Sequence, residues 1–317
     1  MTVDALKTLK PQLPPRTPGI PFTLPAPAPF SLDPVAKLGC GFLRGTRACS
    51  PGEVKLAFPL DGTFELAGVS IRYQDDQLKG ELYGTKNVEA AKRQVARLLA
   101  LDHDGSAFQR VLDADPVLRK VSKERPGFRP VVSYSPYVMA GWAVLSQRIR
   151  MSQAAAIQVR LAEHTGDLVE VAGEQVASFP TPKNLLKVTQ FKGIQPEKLT
   201  RLHAIAEAAL EGRLEIDRLN ALPYDFARAQ LMEIRGVGPW TADGVLIRGC
   251  GPADVLPISE STLHGAVANA YGLKKVPTDE EVEKIAKSWA PFRTWVSVLL
   301  ISQNFEAAKA RVKKPRR

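Results

Sequence analysis

The chain has 317 residues, 44% hydrophobic and 24% charged, enough to bury a substantial core and to divide into two domains. Lys and Arg outnumber Asp and Glu by 43 to 33, a net charge of +10 that favours a polyanionic partner such as nucleic acid. The opening residues lack an apolar stretch of signal-peptide length and no later run is long enough to span a bilayer, so no membrane association and a cytoplasmic location are expected, at the nucleoid in a bacterium.

Residues 1–29 carry eight prolines and few large apolar residues, which reads as a loosely draped leader. Residues 30–112 change character. "EVKLAFPL", "FELAGVSIRY" and "DQLKGELYG" alternate apolar and polar residues between Asp-Gly and Asp-Asp turns, the pattern of an antiparallel sheet. "NVEAAKRQVARLLAL" (87–101) then spaces Val88, Ala91, Val95, Leu98 and Leu99 as the apolar face of a helix covering that sheet. Residues 113–306 look almost wholly helical, with periodic stretches at 135–149, 152–166, 181–189, 198–212 and 278–292, and residues 307–317 form a basic tail. The expected class is α+β, a sheet domain followed by a helical one. The three cysteines, Cys40, Cys49 and Cys250, are scattered without a Cys-x-x-Cys pair. That argues against a disulfide framework, a zinc ribbon and a four-cysteine iron–sulfur cluster, and each is expected to act as a small buried apolar residue.

"LMEIRGVGPWTADGVLIRG" (231–249) reads as two helical stretches pinched around Gly236-Val237-Gly238. Leu231, Ile234, Val237, Trp240, Val245 and Ile247 can pack inward while the glycines take turn conformations that side chains disfavour. Pro239 suits a first helical position, and the unpaired N–H groups that follow it, Trp240 and Thr241 among them, make an anion site at the positive end of the helix dipole. A DNA backbone phosphate fits that site; an ordinary tight turn between helices is the plainer reading.

This stretch, with the Gly/Pro loop "CGPADVLP" and a carboxylate soon after it, resembles the helix–hairpin–helix DNA glycosylases. The alkylpurine branch, DNA-3-methyladenine glycosylase II, matches best, because "AVLSQRIRMSQAA", "FPTP" and "ALEG" precede the hairpin in the same order. The resemblance covers roughly residues 130–300. It implies a monomeric enzyme on damaged double-stranded DNA that needs no cofactor. It also implies that the carbonyls of Met232, Ile234 and Gly236 hold a Na or K ion bridging to the phosphate, and that Arg148, beside Gln147, wedges into the gap left by an extruded nucleotide. Trp240, Trp295, Phe292 and Tyr137 are the candidate walls of the base pocket. Relatives that cut the strand through a Schiff base carry lysine where this chain has Trp240, so a monofunctional enzyme without lyase activity is implied.

Alkylated purines such as 3-methyladenine carry positive charge, so they leave readily and are drawn to aromatic faces. The carboxylate aligned with the catalytic aspartate of the family is Glu260, which keeps the charge needed opposite an oxocarbenium ion but is longer by one methylene. The alternative for Glu260 is a first-turn acid in a helix capped by Ser259, and Asp243 and Asp254 are the fallback carboxylates. His264, one helical turn after Glu260, could tune it. A lesion-binding protein without catalysis, and a DNA-binding module without lesion preference, stand as alternatives to the enzyme.

Overall fold

A computed structural model describes residues 18–32 and 52–313, with side chains through residue 305. Cys40, Cys49 and most of the expected leader lie outside the described residues. One part of that leader is a strand: β1 (Ile20–Pro25) pairs with β4 along its whole length, which corrects the reading of residues 1–29 as loosely draped. Phe22 and Leu24 are buried while Pro21, Thr23 and Pro25 face out. The strand lies at the sheet edge, where prolines cost no ladder bond.

The other strands follow the alternation in the sequence. β2 (Glu53–Pro59), β3 (Leu66–Gln74) and β4 (Gln77–Tyr83) form an antiparallel sheet in the order β1-β4-β3-β2. Helix α1 (Val88–Leu98) buries Ala91, Gln94, Val95 and Leu98, the spacing of a single helix face. The Gln94 side chain donates to the carbonyls of Pro59 and Tyr134 and accepts the Asp61 N–H, so it fastens α1 both to the sheet and to the helical half.

The chain then leaves the sheet. α2 (Gly105–Ala114) and α3 (Pro116–Lys123) pack Phe108, Leu112, Leu118 and Val121 against C-terminal helices, so α2 runs across the boundary expected at residue 112. α4 (Pro136–Leu145) is buried at all ten positions, as a helix apolar on every side must be. α5 (Met151–Thr165) is followed by β5 (Leu168–Val171) and β6 (Glu174–Ala177), a hairpin in a region expected to be helical. Ala172 and Gly173 both have positive φ, the turn a two-residue hairpin needs. Val169, Val171 and Val176 cover the sheet face away from α1, against Ala57 and Tyr83.

α6 (Pro182–Leu185) is a single turn, shorter than the helix expected over 181–189. α7 (Pro196–Leu210), α8 (Ile216–Asn220) and α9 (Tyr224–Met232) lead to the pinch. α10 (Pro239–Gly244) continues as a π-helical turn over Val245–Cys250. α11 (Ser261–Tyr271), α12 (Asp279–Ala286), a 3₁₀ turn at Lys287–Trp289 and α13 (Arg293–Lys313) complete the chain, so α13 runs on into the segment expected to be a free basic tail. The protein is α+β, with one core joining the sheet to α4, α5, α7 and α9 and a second joining α2 and α3 to α11–α13. Cys250 is buried, and burial pushes its thiol up to about 12. Among the described residues no helix is long and apolar enough to cross a membrane.

Candidate functional site

The pinch between α9 and α10 is built as the sequence suggests, but its two glycines differ in purpose. Gly236 has φ +94, and a Cβ there would lie 2.7 Å from Cβ of Arg201, so the fold itself requires glycine. Gly238 has φ −95, which any residue adopts, and a Cβ there would meet nothing within 4 Å. The room beside Gly238 is therefore not used by the protein. The Val237 N–H is already spent on the Ile234 carbonyl at 3.0 Å. Among the described residues the N–H groups of Gly238, Trp240 and Thr241 have no backbone acceptor, as expected at a helix start. Val237 and the Thr241 side chain are buried, so Thr241 can offer a ligand only its main chain.

Gln147, Arg148, Arg201, Arg235 and the hairpin residues 236–238 line one open groove of about 540 Å³, together with Glu197. Of the residues expected to touch DNA, the groove brings together Gln147, Arg148 and Gly236–Gly238, while Trp240 and Thr241 do not line it. Arg148 is exposed at φ +57, a conformation rarely held by a non-glycine residue without a reason in its surroundings. Its neighbours are fixed from α7. Lys198 Nζ donates to the carbonyls of Leu145 and Gln147 at 3.0 and 2.9 Å, closing the C-terminus of α4, and Arg201 donates to the Gln147 side chain at 3.1 Å. Burial, then the Arg201 charge, lowers the Lys198 ammonium below its ordinary value.

The aromatic residues separate into two groups. Trp240 does not pack inward: it is 59% exposed at the start of α10 and is free to meet a ligand. Trp295 and Phe292 are not pocket walls. They are 1% and 5% exposed and pack against Phe108 in the second core, Trp295 edge-on and Phe292 tilted, with Trp295 also beneath the Arg129 guanidinium. Tyr137 is likewise buried, its hydroxyl donating to the Pro180 carbonyl at 2.7 Å. All three were expected in the pocket because they are aromatic and follow the right motifs; apolar burial claims them instead.

Glu260 is itself the N-cap of α11, in place of Ser259. Its Oε1 accepts the Thr262 N–H at 3.3 Å and the Thr262 hydroxyl at 2.8 Å, while among the described residues Oε2 accepts no hydrogen bond. Burial lowers the Arg248 guanidinium from its usual value, and the nearby charge of Glu260 offsets part of that effect. The loop before Glu260 is anchored twice. At one end Asp254 forms a two-oxygen pair with Arg293 at 2.8 Å on each side, and Thr294 bonds to Ala253 and Val255. Burial opposes the charge on Asp254, but the hydrogen bonds and charge of Arg293 outweigh it and hold the carboxyl below its usual range.

At the other end the Ser259 hydroxyl donates to Asp243 at 3.0 Å. Asp243 is 8% exposed and also accepts from the Tyr224 hydroxyl at 3.1 Å and Arg228 Nε at 2.7 Å. Both fallback carboxylates are therefore committed to structure. Burial and then Asp243 push the Tyr224 phenol well above its ordinary value. Asp243 stands three residues after Trp240, so one short helix, α10, carries both the exposed indole and the buried tether of the loop that holds Glu260. His264 does not pair with Glu260; its ring meets Asp279 at 2.8 Å.

Residues 142–292 match the family described as "HhH-GPD superfamily base excision DNA repair protein". The match covers 151 of the chain's 317 residues. The matched span runs from within α4 to Phe292 and takes in the hairpin, the anchored loop and Glu260. The chain is 25% identical over 244 residues to the DNA-3-methyladenine glycosylase of Bacillus subtilis (strain 168), covering 74% of this chain and 80% of that relative. In fold it resembles the 3-methyladenine DNA-glycosylase from Archaeoglobus fulgidus, with a TM-score of 0.72 at 23% identity over 88% of this chain and 97% of that one. It also resembles an 8-oxoguanine glycosylase/lyase of Clostridium acetobutylicum, with a TM-score of 0.63 at 16% identity over 88% and 93%. The shared fold alone therefore does not distinguish a glycosylase from a glycosylase/lyase. Glu197, Lys198, Arg201, Arg235 and Arg248 carried no separate motif signal in the sequence.

Proposed function

We propose that this protein is a monofunctional DNA glycosylase that removes alkylated, cationic purines such as 3-methyladenine from double-stranded DNA in base excision repair. The observation that carries the reading is that α10 presents the exposed Trp240 and, through the bond of Asp243 to Ser259, also holds the loop that carries Glu260. A groove of about 540 Å³ lined by Gly238, whose N–H has no backbone acceptor among the described residues, and by three arginines supports a phosphate clamp. The exposed, left-handed Arg148 at its rim supports the role of wedge.

The chemistry follows from the charges. An extruded cationic base stacks on the indole of Trp240, whose electron-rich face favours it over a neutral base. The bond between the base nitrogen and C1′ breaks with its electron pair leaving on the base, which becomes neutral. The positive charge then rests on the sugar, where the Glu260 carboxylate stabilises it. Water adds its oxygen to C1′ and gives up a proton, yielding free base and an abasic site. Trp240 supplies no amine, so no Schiff base forms there and the strand is left intact.

No cofactor is required in this scheme. The carbonyls of Met232, Ile234 and Gly236 are suited to a hard monovalent cation by their chemistry, and Ile234 keeps one lone pair beyond its bond to Val237. Such an ion would add positive charge near the phosphate. A second reading is favoured by one observation: Oε1 of Glu260 is engaged in capping α11. In that reading Glu260 is only a cap, and the protein marks lesions without excising them.

Incubation with methylated duplex DNA separates these readings. Release of free alkylated purine, with no nick and no complex trapped by borohydride, supports the proposal. Lesion-selective binding without release supports the second reading, and binding without lesion preference contradicts both.

A further inference from the structure

The anion groove holds an anion of the protein's own. Glu197, in the first turn of α7, points one carboxylate at two guanidiniums: Oε1 lies 3.3 Å from Arg201 Nε, and Oε2 lies 3.1 Å from Arg235 Nη2. Both arginines line the same groove as Gly236–Gly238. A carboxylate and a phosphodiester each present two oxygens to an arginine fork, so one can replace the other. All three side chains are between a third and two thirds exposed, so the pairs are of the weak, exchangeable kind.

We propose that Arg201 and Arg235 form a second subsite for a DNA backbone phosphate, next to the hairpin clamp, and that Glu197 occupies it until duplex DNA displaces the carboxylate. This rests on the reading of the groove as a DNA-binding surface. The cost of displacement is the same in each case, but a strand whose neighbouring phosphate also reaches the Gly238 main chain offsets it, whereas a single phosphate does not. Glu197 therefore lowers duplex affinity by a fixed factor and disfavours partial seating most. Arg201 has a second duty that keeps it in place throughout: it holds Gln147 beside the wedge residue, and its stem fills the space that glycine leaves at 236.

Binding of the full chain to undamaged duplex, measured by fluorescence anisotropy across a salt titration, tests the inference. Glu197→Gln should raise affinity about three- to tenfold and steepen the salt slope by about one, the change for one more phosphate contact. Glu163→Gln makes the same change in net charge on an exposed position of α5 outside the groove and should change neither quantity. In an Arg235→Ala background the gain from Glu197→Gln should shrink to less than half. Equal gains from both glutamine variants, or a gain that persists undiminished without Arg235, overturn the subsite in favour of general electrostatics. Duplex binding by the wild type with no gain in Glu197→Gln overturns this inference alone. Failure of every variant to bind duplex overturns it together with the functional reading.

Discussion

Replacing Asp243 tests whether the loop carrying Glu260 is held from α10. The carboxylate accepts from Arg228 Nε at 2.7 Å, Ser259 Oγ at 3.0 Å and Tyr224 Oη at 3.1 Å. A charged hydrogen bond contributes roughly 1.5–3 kcal/mol and each hydroxyl bond roughly 1 kcal/mol. Arg228 is 31% exposed, so solvent recovers part of the first figure. Asp243→Ala should therefore cost about 3 kcal/mol. Asp243→Asn should cost about 1 kcal/mol, because its amide oxygen still accepts from Arg228 and Tyr224, and its NH₂ can donate to the Ser259 hydroxyl. Urea unfolding gives the two stabilities. Single-turnover base release from methylated duplex should fall about a hundredfold in the alanine variant, the usual cost of a reacting group displaced by an ångström, while duplex affinity changes little. An alanine variant within about 0.5 kcal/mol of the wild type, or one that releases base at the wild-type rate, would refute the tether.

The two hairpin glycines should part company. Gly236→Ala is expected to lower stability by about 1–3 kcal/mol through its positive φ and the Arg201 stem, whereas Gly238→Ala should leave thermal unfolding unchanged and weaken duplex binding several-fold. The two tryptophans should do the same: Trp295→Ala, opening a cavity in the second core, is expected to cost about 3–5 kcal/mol in urea unfolding, while Trp240→Ala should fold normally and lose its preference for alkylated over undamaged duplex. The Asp254–Arg293 pair carries a sign that acid titration reads. Because the folded carboxyl is held low, its stabilising effect is present above about pH 4 and disappears as the pH falls through the lowered value. Wild type should thus exceed Asp254→Asn by about 1 kcal/mol near neutrality, with the gap closing in acid, the pair being partly exposed.

How far the sequence announces this molecule depends on what each residue answers to. β2, β3 and β4 are legible because each keeps one face in the core, so polarity alternates along the strand. β1 is hidden by its prolines, which an edge position tolerates, and β5 and β6 by their four-residue length. The pinch is legible because Gly236 and Pro239 answer to local backbone geometry. Pocket walls are not: whether an aromatic faces a ligand or a core is decided by distant helices, and only Trp240 of the four candidates reaches the surface. Asp243 shows the same limit, since its three partners come from α9 and from the loop before α11.

The central claim is that Glu260 provides the charge for glycosidic bond cleavage while its Oε1 caps α11. Glu260→Gln separates the two roles, since the amide oxygen can still accept the Thr262 N–H while the charge is gone. The direct measurement is single-turnover release of alkylated purine from methylated duplex by wild type and by Glu260→Gln at matched, saturating protein. The account expects wild-type release and a fall of about a hundredfold or more in the variant, with folding and duplex affinity preserved. Release by both proteins at rates within about threefold would contradict it, because the loop carboxylate that keeps one oxygen without a hydrogen bond among the described residues would then be dispensable.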